Sequence, residues 1–214
     1  MKMLYKTKAR SKAKAAKNIS VSSEADFQSC APIGFEKSSE PDLILYIYDE
    51  IGTEVDYVEF VHALRYAPEG QKITIHINSP GGNLNSCLSI VNAIGASEAE
   101  ITTVVDGEAA SAAAMIWLSG HYKVIASPHT VVMLHGASCG FKQSKTSDIV
   151  TSSLSTNNIV ESLLDYLADG FLNDGERDDI RKGVDIYITG ADIIKRLNLD
   201  TEDTEDTTSE LIKT

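Results

Sequence analysis

Ser111, in the run Gly107-Glu108-Ala109-Ala110-Ser111-Ala112-Ala113-Ala114, stands where a strand is expected to give way to a helix. A hydroxyl there has unpaired helix N–H groups and a positive dipole end beside it. Both suit a developing oxyanion. Small neighbours let a substrate backbone approach closely. The same run would also suit a tightly packed small-residue helix with Ser111 as filler, and this segment alone does not choose between the two.

Three further segments carry groups that acyl transfer needs. Asn78-Ser79-Pro80-Gly81-Gly82 is a rigid turn ending in two glycines, which are free to take positive φ and aim amides at a ligand. It is not a phosphate loop, because Gly-x-x-x-x-Gly-Lys is absent. His135 ends the apolar run Val131-Val132-Met133-Leu134, where a histidine serves either structure or proton transfer. The other histidines fall on an expected helix (His62), inside a strand (His76) and in turns (His121, His129). None is paired at metal-ligand spacing, so no metal is expected. Asp185 adjoins the apolar Ile186-Tyr187-Ile188, so its carboxylate is either partnered or partly exposed. Asp148, Asp178, Asp179 and Asp192 are rivals that spacing does not exclude.

Alternating strands and helices must position these groups. Leu43–Tyr48, Ile73–Ile77, Ile101–Val105, Tyr122–Ala126 and Thr130–Leu134 read as strands rich in β-formers. Helices are expected near 54–66, with Val55, Val58, Val61 and Leu64 at helical spacing, and near 84–95. Others are expected over Ala109–Leu118, about 145–171, 176–182 and 190–197, the last with Thr189 as a cap. Asp106-Gly107 reads as a turn. The alternation implies an α/β fold with a largely parallel sheet, whose functional groups gather at the carboxyl ends of strands. Residues 1–40 read as a basic arm, 41–199 as one catalytic domain and 200–214 as an acidic tail.

Composition narrows the class. The 214 residues, 43% apolar, suffice for one core. No run of 18 apolar residues occurs, so no membrane span is expected, and the basic N-terminus lacks the apolar stretch of a secretory signal. Three cysteines (Cys30, Cys87, Cys139) without a Cys-x-x-Cys pair fit free thiols in a reducing cytoplasm. Residues 1–17 carry seven Lys or Arg and no acid; with a total of −12, the remainder stands at −19. That acidic body argues against nucleic-acid binding by the folded domain.

In order and interval, Ile77-Asn78-Ser79-Pro80-Gly81-Gly82, Gly107-x-Ala109-Ala110-Ser111, Met133-Leu134-His135 and Asp185-x-Tyr187-Ile188-Thr189 resemble the Clp protease proteolytic-subunit (ClpP) family over roughly residues 43–199. The resemblance implies a ClpP/crotonase-like fold of repeated β-α units, with the helix near 145–171 as a protruding handle. It implies a serine endopeptidase with Ser111 as nucleophile, His135 as general base and Asp185 as the acid that orients the histidine. Amides of the Gly81-Gly82 turn and of Ala112 would form the oxyanion hole. The segment from Gly136 to Lys142, including Ser138, Gly140 and Phe141, would pair with an extended substrate. No cofactor or metal is implied. The implied partners are unfolded polypeptides, copies of the same chain in seven-membered rings stacked in pairs, and an AAA+ Clp unfoldase. The implied setting is the cytoplasm of a bacterium or a phage-infected host.

The chain also departs from that pattern. Ala112 stands where the bacterial housekeeping enzymes usually have Met. Gly136-Ala137 stand in place of a polar residue and Pro, and Ser138-Cys139-Gly140-Phe141 in place of a glycine-rich stretch. Residues 1–40 do not resemble the axial hairpin. Ile47-Tyr48-Asp49-Glu50-Ile51-Gly52 resembles the ClpP-like head-maturation proteases of tailed phages, whereas retention of Asp185 points back to ClpP itself. Two other readings remain: a ring subunit with little activity, and a crotonase-type acyl-CoA enzyme that needs no Ser-His-Asp set.

Overall fold

Leu43-Ile44-Leu45-Tyr46-Ile47-Tyr48 alternates buried and outward side chains, with Leu45 and Ile47 fully buried, as a strand on a half-covered sheet should. A computed structural model describes this and the rest of residues 43–138, 140 and 145–197, together with the backbone of 35–37. The expected acidic tail, most of the basic arm, Cys30, Cys139 and Phe141 lie outside the described residues.

The described elements, in chain order, are β1 (Phe35–Lys37), β2 (Leu43–Tyr48), a 3-10 turn (Glu54–Tyr57), α1 (Val58–Tyr66), β3 (Lys72–Ser79), α2 (Leu84–Ala96) and β4 (Glu100–Ala110). They continue with α3 (Ala112–Ser119), β5 (Tyr122–Ile125), β6 (Val131–Leu134), α4 (Thr146–Leu167), α5 (Asp174–Arg181), β7 (Ile186–Thr189) and α6 (Gly190–Leu197). The strands form one sheet in the order β1-β2-β3-β4-β6-β7, with β5 alongside the first half of β4. The pairs from β2 through β6 are parallel; β1 on β2 and β7 on β6 are antiparallel.

Hydrophobic burial holds this together. Ile73, Ile75 and Ile77 of β3 meet Phe60 and Leu64 of α1, Ile90 and Ile94 of α2, and Ile116 and Trp117 of α3 in one core. Trp117 donates its ring N–H to the Val124 carbonyl, so the largest core side chain leaves no buried donor unpaired. Local chemistry fixes the helix starts. The Asn83 side chain accepts the Ser86 N–H at α2, and Asn173 and Glu176 form a reciprocal capping box at α5. Thr189 Oγ1 accepts the Asp192 N–H at α6.

Four expectations are corrected. Phe35–Lys37, inside the expected arm, pairs with β2 as a strand. The 3-10 turn shifts the phase of α1, so that Tyr57, Phe60 and Leu64 face inward while Val55 and Val58 stand 79% and 62% exposed. The chain does not turn at Asp106-Gly107: β4 continues to Ala110, because β3 and β6 both pair with its last residues. The long helix ends at Leu167 rather than near 171, and Asn173 caps α5, which begins at Asp174 ahead of its expected start at 176. No helix among the described residues is long and apolar enough to cross a membrane.

Candidate active site

Parallel pairing of Ala110 with Met133 brings the carboxyl ends of β4 and β6 side by side. Ser111 comes directly after one end and His135 after the other. The Ser111 N–H donates to the Met133 carbonyl at 2.8 Å, and His135 Nε2 lies 2.6 Å from Ser111 Oγ. At that distance the hydroxyl can donate a hydrogen bond to an unprotonated Nε2, the geometry that a nucleophile and its general base require.

The serine backbone is held at φ 57 and ψ −121, one of two non-glycine residues with positive φ among those described. Such a conformation costs about 1–3 kcal/mol and persists only where its surroundings enforce it. Here β4 must become α3 within one residue, and Ser111 is that residue. The turn points Oγ out of the strand and leaves the Ala112 N–H at the open start of α3.

Opposite lies the Asn78–Gly82 turn. Gly81 has φ +97, and a Cβ there would come within 2.6 Å of the Ala110 carbonyl and 2.8 Å of Ser111 Cβ. Only glycine lets the turn lie this close. Its carbonyl accepts the Ile51 N–H at 2.7 Å, and its own N–H donates to the buried Ser79 Oγ at 3.1 Å. Gly82, at φ +146, is packed on the Ile51 backbone. The amides of Gly82 and Ala112 have no acceptor among the described residues. Of the three expected oxyanion donors, these two are therefore free and Gly81 is engaged.

Asp185 stands just before β7. The antiparallel β6–β7 ladder pairs Leu134 with Ile186, so His135 and Asp185 occupy the next step of the same ladder. Its side chain is exposed, and neither its carboxylate nor His135 Nδ1 makes a hydrogen bond with another described residue. The fold thus joins Ser111 to His135 and sets Asp185 beside them without closing the third link. Gly136 and Ser138 run on from β6 with no backbone hydrogen bonds among the described residues, and Gly140 is exposed.

Sequence reasoning missed several supporting groups. Asn78 Oδ1 accepts the Glu108 N–H at 3.1 Å. Ser79 holds the Gly81 amide. Cys87, buried beneath the start of α3, donates its thiol to the Ala112 carbonyl at 3.3 Å, and burial pushes that thiol up to about 12. It is a packing group rather than a nucleophile. On the outer face of the sheet, His76 Nδ1 lies 3.0 Å from both Asp106 oxygens, Tyr48 donates to Asp106 at 2.7 Å, and Tyr46 stacks on His76. Burial, and then the bond to Asp106, push the Tyr48 hydroxyl up to about 12. This cluster becomes visible only when Tyr46 is registered against His76.

The family model described as Clp protease matches residues 41–185. The chain is 41% identical over 78 residues to ATP-dependent Clp protease proteolytic subunit 1 of Rhodococcus jostii (strain RHA1), covering 36% of each chain. It is 34% identical over 101 residues to the ATP-dependent Clp protease proteolytic subunit of Bacteroides thetaiotaomicron, covering 47% of this chain and 46% of that one. To the corresponding subunit of Chlorella vulgaris it is 29% identical over 113 residues, covering 51% and 56%. The chain spans about half the length, or less, of these curated relatives. With a strand-end Ser–His pair inside a match covering most of its length, the chain belongs to the Clp protease family.

Proposed function

We propose that the chain is a serine endopeptidase that cleaves unfolded polypeptides, and the observation carrying this reading is the 2.6 Å separation of His135 Nε2 from Ser111 Oγ. Ser111 Oγ attacks the scissile carbonyl as His135 takes its proton. The tetrahedral oxyanion is received by the N–H groups of Gly82 and Ala112, with Gly81 shaping the turn. His135 then protonates the leaving amine, and the C–N bond breaks to leave an acyl-serine. Water, deprotonated by the same imidazole, attacks the ester and restores the hydroxyl. Asp185 reaches His135 Nδ1 by turning its exposed side chain. It selects the tautomer that leaves Nε2 unprotonated and stabilises the imidazolium. The substrate runs as an added strand along Gly136 to Phe141. The chemistry uses no cofactor or metal.

Family membership supports a ring assembly that encloses these sites, of seven copies per ring with two rings stacked through α4. It also supports delivery of substrate by an AAA+ Clp unfoldase, and a cytoplasmic setting in a bacterium or phage-infected host. The chain then divides into an arm to about residue 40, the peptidase over 41–199 and a tail beyond. The unengaged Asp185 carboxylate favours one second reading, a ClpP-like ring subunit of low activity. The head-maturation role is a matter of substrate within the first reading.

The test is covalent labelling by a fluorophosphonate probe, which needs an activated serine. Labelling of the assembled protein that disappears in both Ser111→Ala and His135→Ala is the expected result. Absence of labelling in the assembled wild type would overturn the peptidase reading in favour of the low-activity ring.

A further inference from the structure

We infer that Asn78 is a positioning residue for Ser111, acting through a bulge in β4; the inference rests on the reading of Ser111 as nucleophile. The strands β3 and β4 pair Ile77 with Val105, and the next pair is Ser79 with Ala109. One residue of β3, Asn78, therefore faces three of β4: Asp106, Gly107 and Glu108. A bulge bends its strand and re-aims the residues on its far side. Those residues are Ala109, paired to both β3 and β6, and, just past the end of β4, the strained Ser111.

The bulge is held by one side chain. Asn78 Oδ1 accepts the Glu108 N–H at 3.1 Å, supplying the acceptor that the broken ladder withholds. Gly107 makes the room, since a Cβ there would come within 2.7 Å of Asn78 Oδ1. The Asn78 carbonyl accepts the Asp49 N–H at 3.0 Å, fixing the backbone from which the side chain reaches. Asn78 Nδ2 donates to nothing among the described residues, so the acceptor oxygen is the working part. Asn78 makes no hydrogen bond to Ser111 or His135. Its effect reaches them through the point at which β4 re-enters the sheet.

The experiment compares wild type, Asn78→Ala and Asn78→Asp by fluorophosphonate labelling across probe concentrations, and by hydrogen exchange of the amides of residues 107–112. In Asn78→Ala the first-order labelling step should slow about 10–100-fold, the loss expected of a misplaced reacting group, with half-saturating probe concentration unchanged. Exchange at Glu108 to Ser111 should rise. Asn78→Asp keeps the acceptor and should stay within about threefold in rate, with wild-type exchange. Wild-type labelling by Asn78→Ala, or an Asn78→Asp as slow as the alanine variant, would overturn the inference. Slow labelling without faster exchange would also overturn it, by placing Asn78 in the site itself. If the wild type does not label, the peptidase reading fails; exchange alone then decides whether Asn78 holds the bulge.

Discussion

The N–H of Ser111 and the carbonyl of Met133 share a 2.8 Å hydrogen bond between two neighbouring strand ends. It locks the Ser111 backbone to the strand that leads into His135, so the 2.6 Å contact between the side chains inherits the rigidity of the sheet. The same bond helps hold Ser111 at positive φ.

That strain can be measured. At φ 57 and ψ −121, glycine pays no Cβ penalty and alanine does. Ser111→Gly and Ser111→Ala both remove the hydroxyl and its bond to His135, so their difference isolates the backbone. Ser111→Gly should be the more stable by about 1 kcal/mol in chemical denaturation, with neither variant labelling. Equal stabilities would mean that the turn relaxes at no cost.

Asp185 is exposed and without a hydrogen bond among the described residues, so its contribution should be kinetic. Asp185→Asn should lower peptidase turnover by about 10²–10⁴-fold, as loss of an orienting carboxylate does. Its unfolding free energy should stay within about 0.5 kcal/mol of wild type, as at a surface position. Denaturation paired with peptide hydrolysis checks both halves. Unchanged turnover would remove Asp185 from the mechanism.

Much of the scaffold was legible. Leu43–Tyr48 and Val131–Leu134 are apolar β-formers bounded by polar residues, and they fold as read. Ser111, His135 and the double glycine sit at strand ends, where the α/β pattern put them. The illegible parts share a cause, which is that pairing partners are not written locally. Ala109 and Ala110 favour helix by propensity, yet two neighbouring strands recruit them into β4. The single 3-10 turn before α1 rotates Val55 and Val58 outward and Phe60 inward. Asn78 and Glu108 lie 30 residues apart and meet only through a bulge.

Acid sensitivity should report on the packing of α5 against α6. Glu176 accepts from Arg196 Nη2 at 2.6 Å and Nη1 at 2.9 Å, while Arg196 also holds the Phe171 carbonyl. The hydrogen bonds from Arg196 hold the Glu176 carboxyl below its ordinary value despite partial burial. A carboxylate depressed in the folded state stabilises fully above its unfolded pKa of about 4.3, and that stability is lost as pH falls through the folded value. Glu176→Gln should therefore cost about 1–3 kcal/mol at neutral pH, and the difference from wild type should shrink below about pH 4. Denaturant midpoints across pH measure it; a constant difference down to low pH would exclude this linkage.

The helix α4 spans 22 residues, about 33 Å, yet buries only Val160 and Leu164. Val150, Leu154, Ile159 and Tyr166 stand exposed along it. At about 100° per residue they fall on two faces, Val150 with Leu154 and, roughly 140° away, Ile159 with Tyr166, and the proposed stacking of two rings would cover them. Charges on these two faces should weaken stacking while sparing the fold, because the altered side chains already lie in water. Leu154→Asp combined with Ile159→Asp should lower the light-scattering mass from a large multiple of the 23.1 kDa chain to a smaller one, with secondary structure retained. If the sites are enclosed by the double ring, the variant should also cleave bulky folded substrates less selectively. An unchanged mass would assign these side chains to some contact other than stacking.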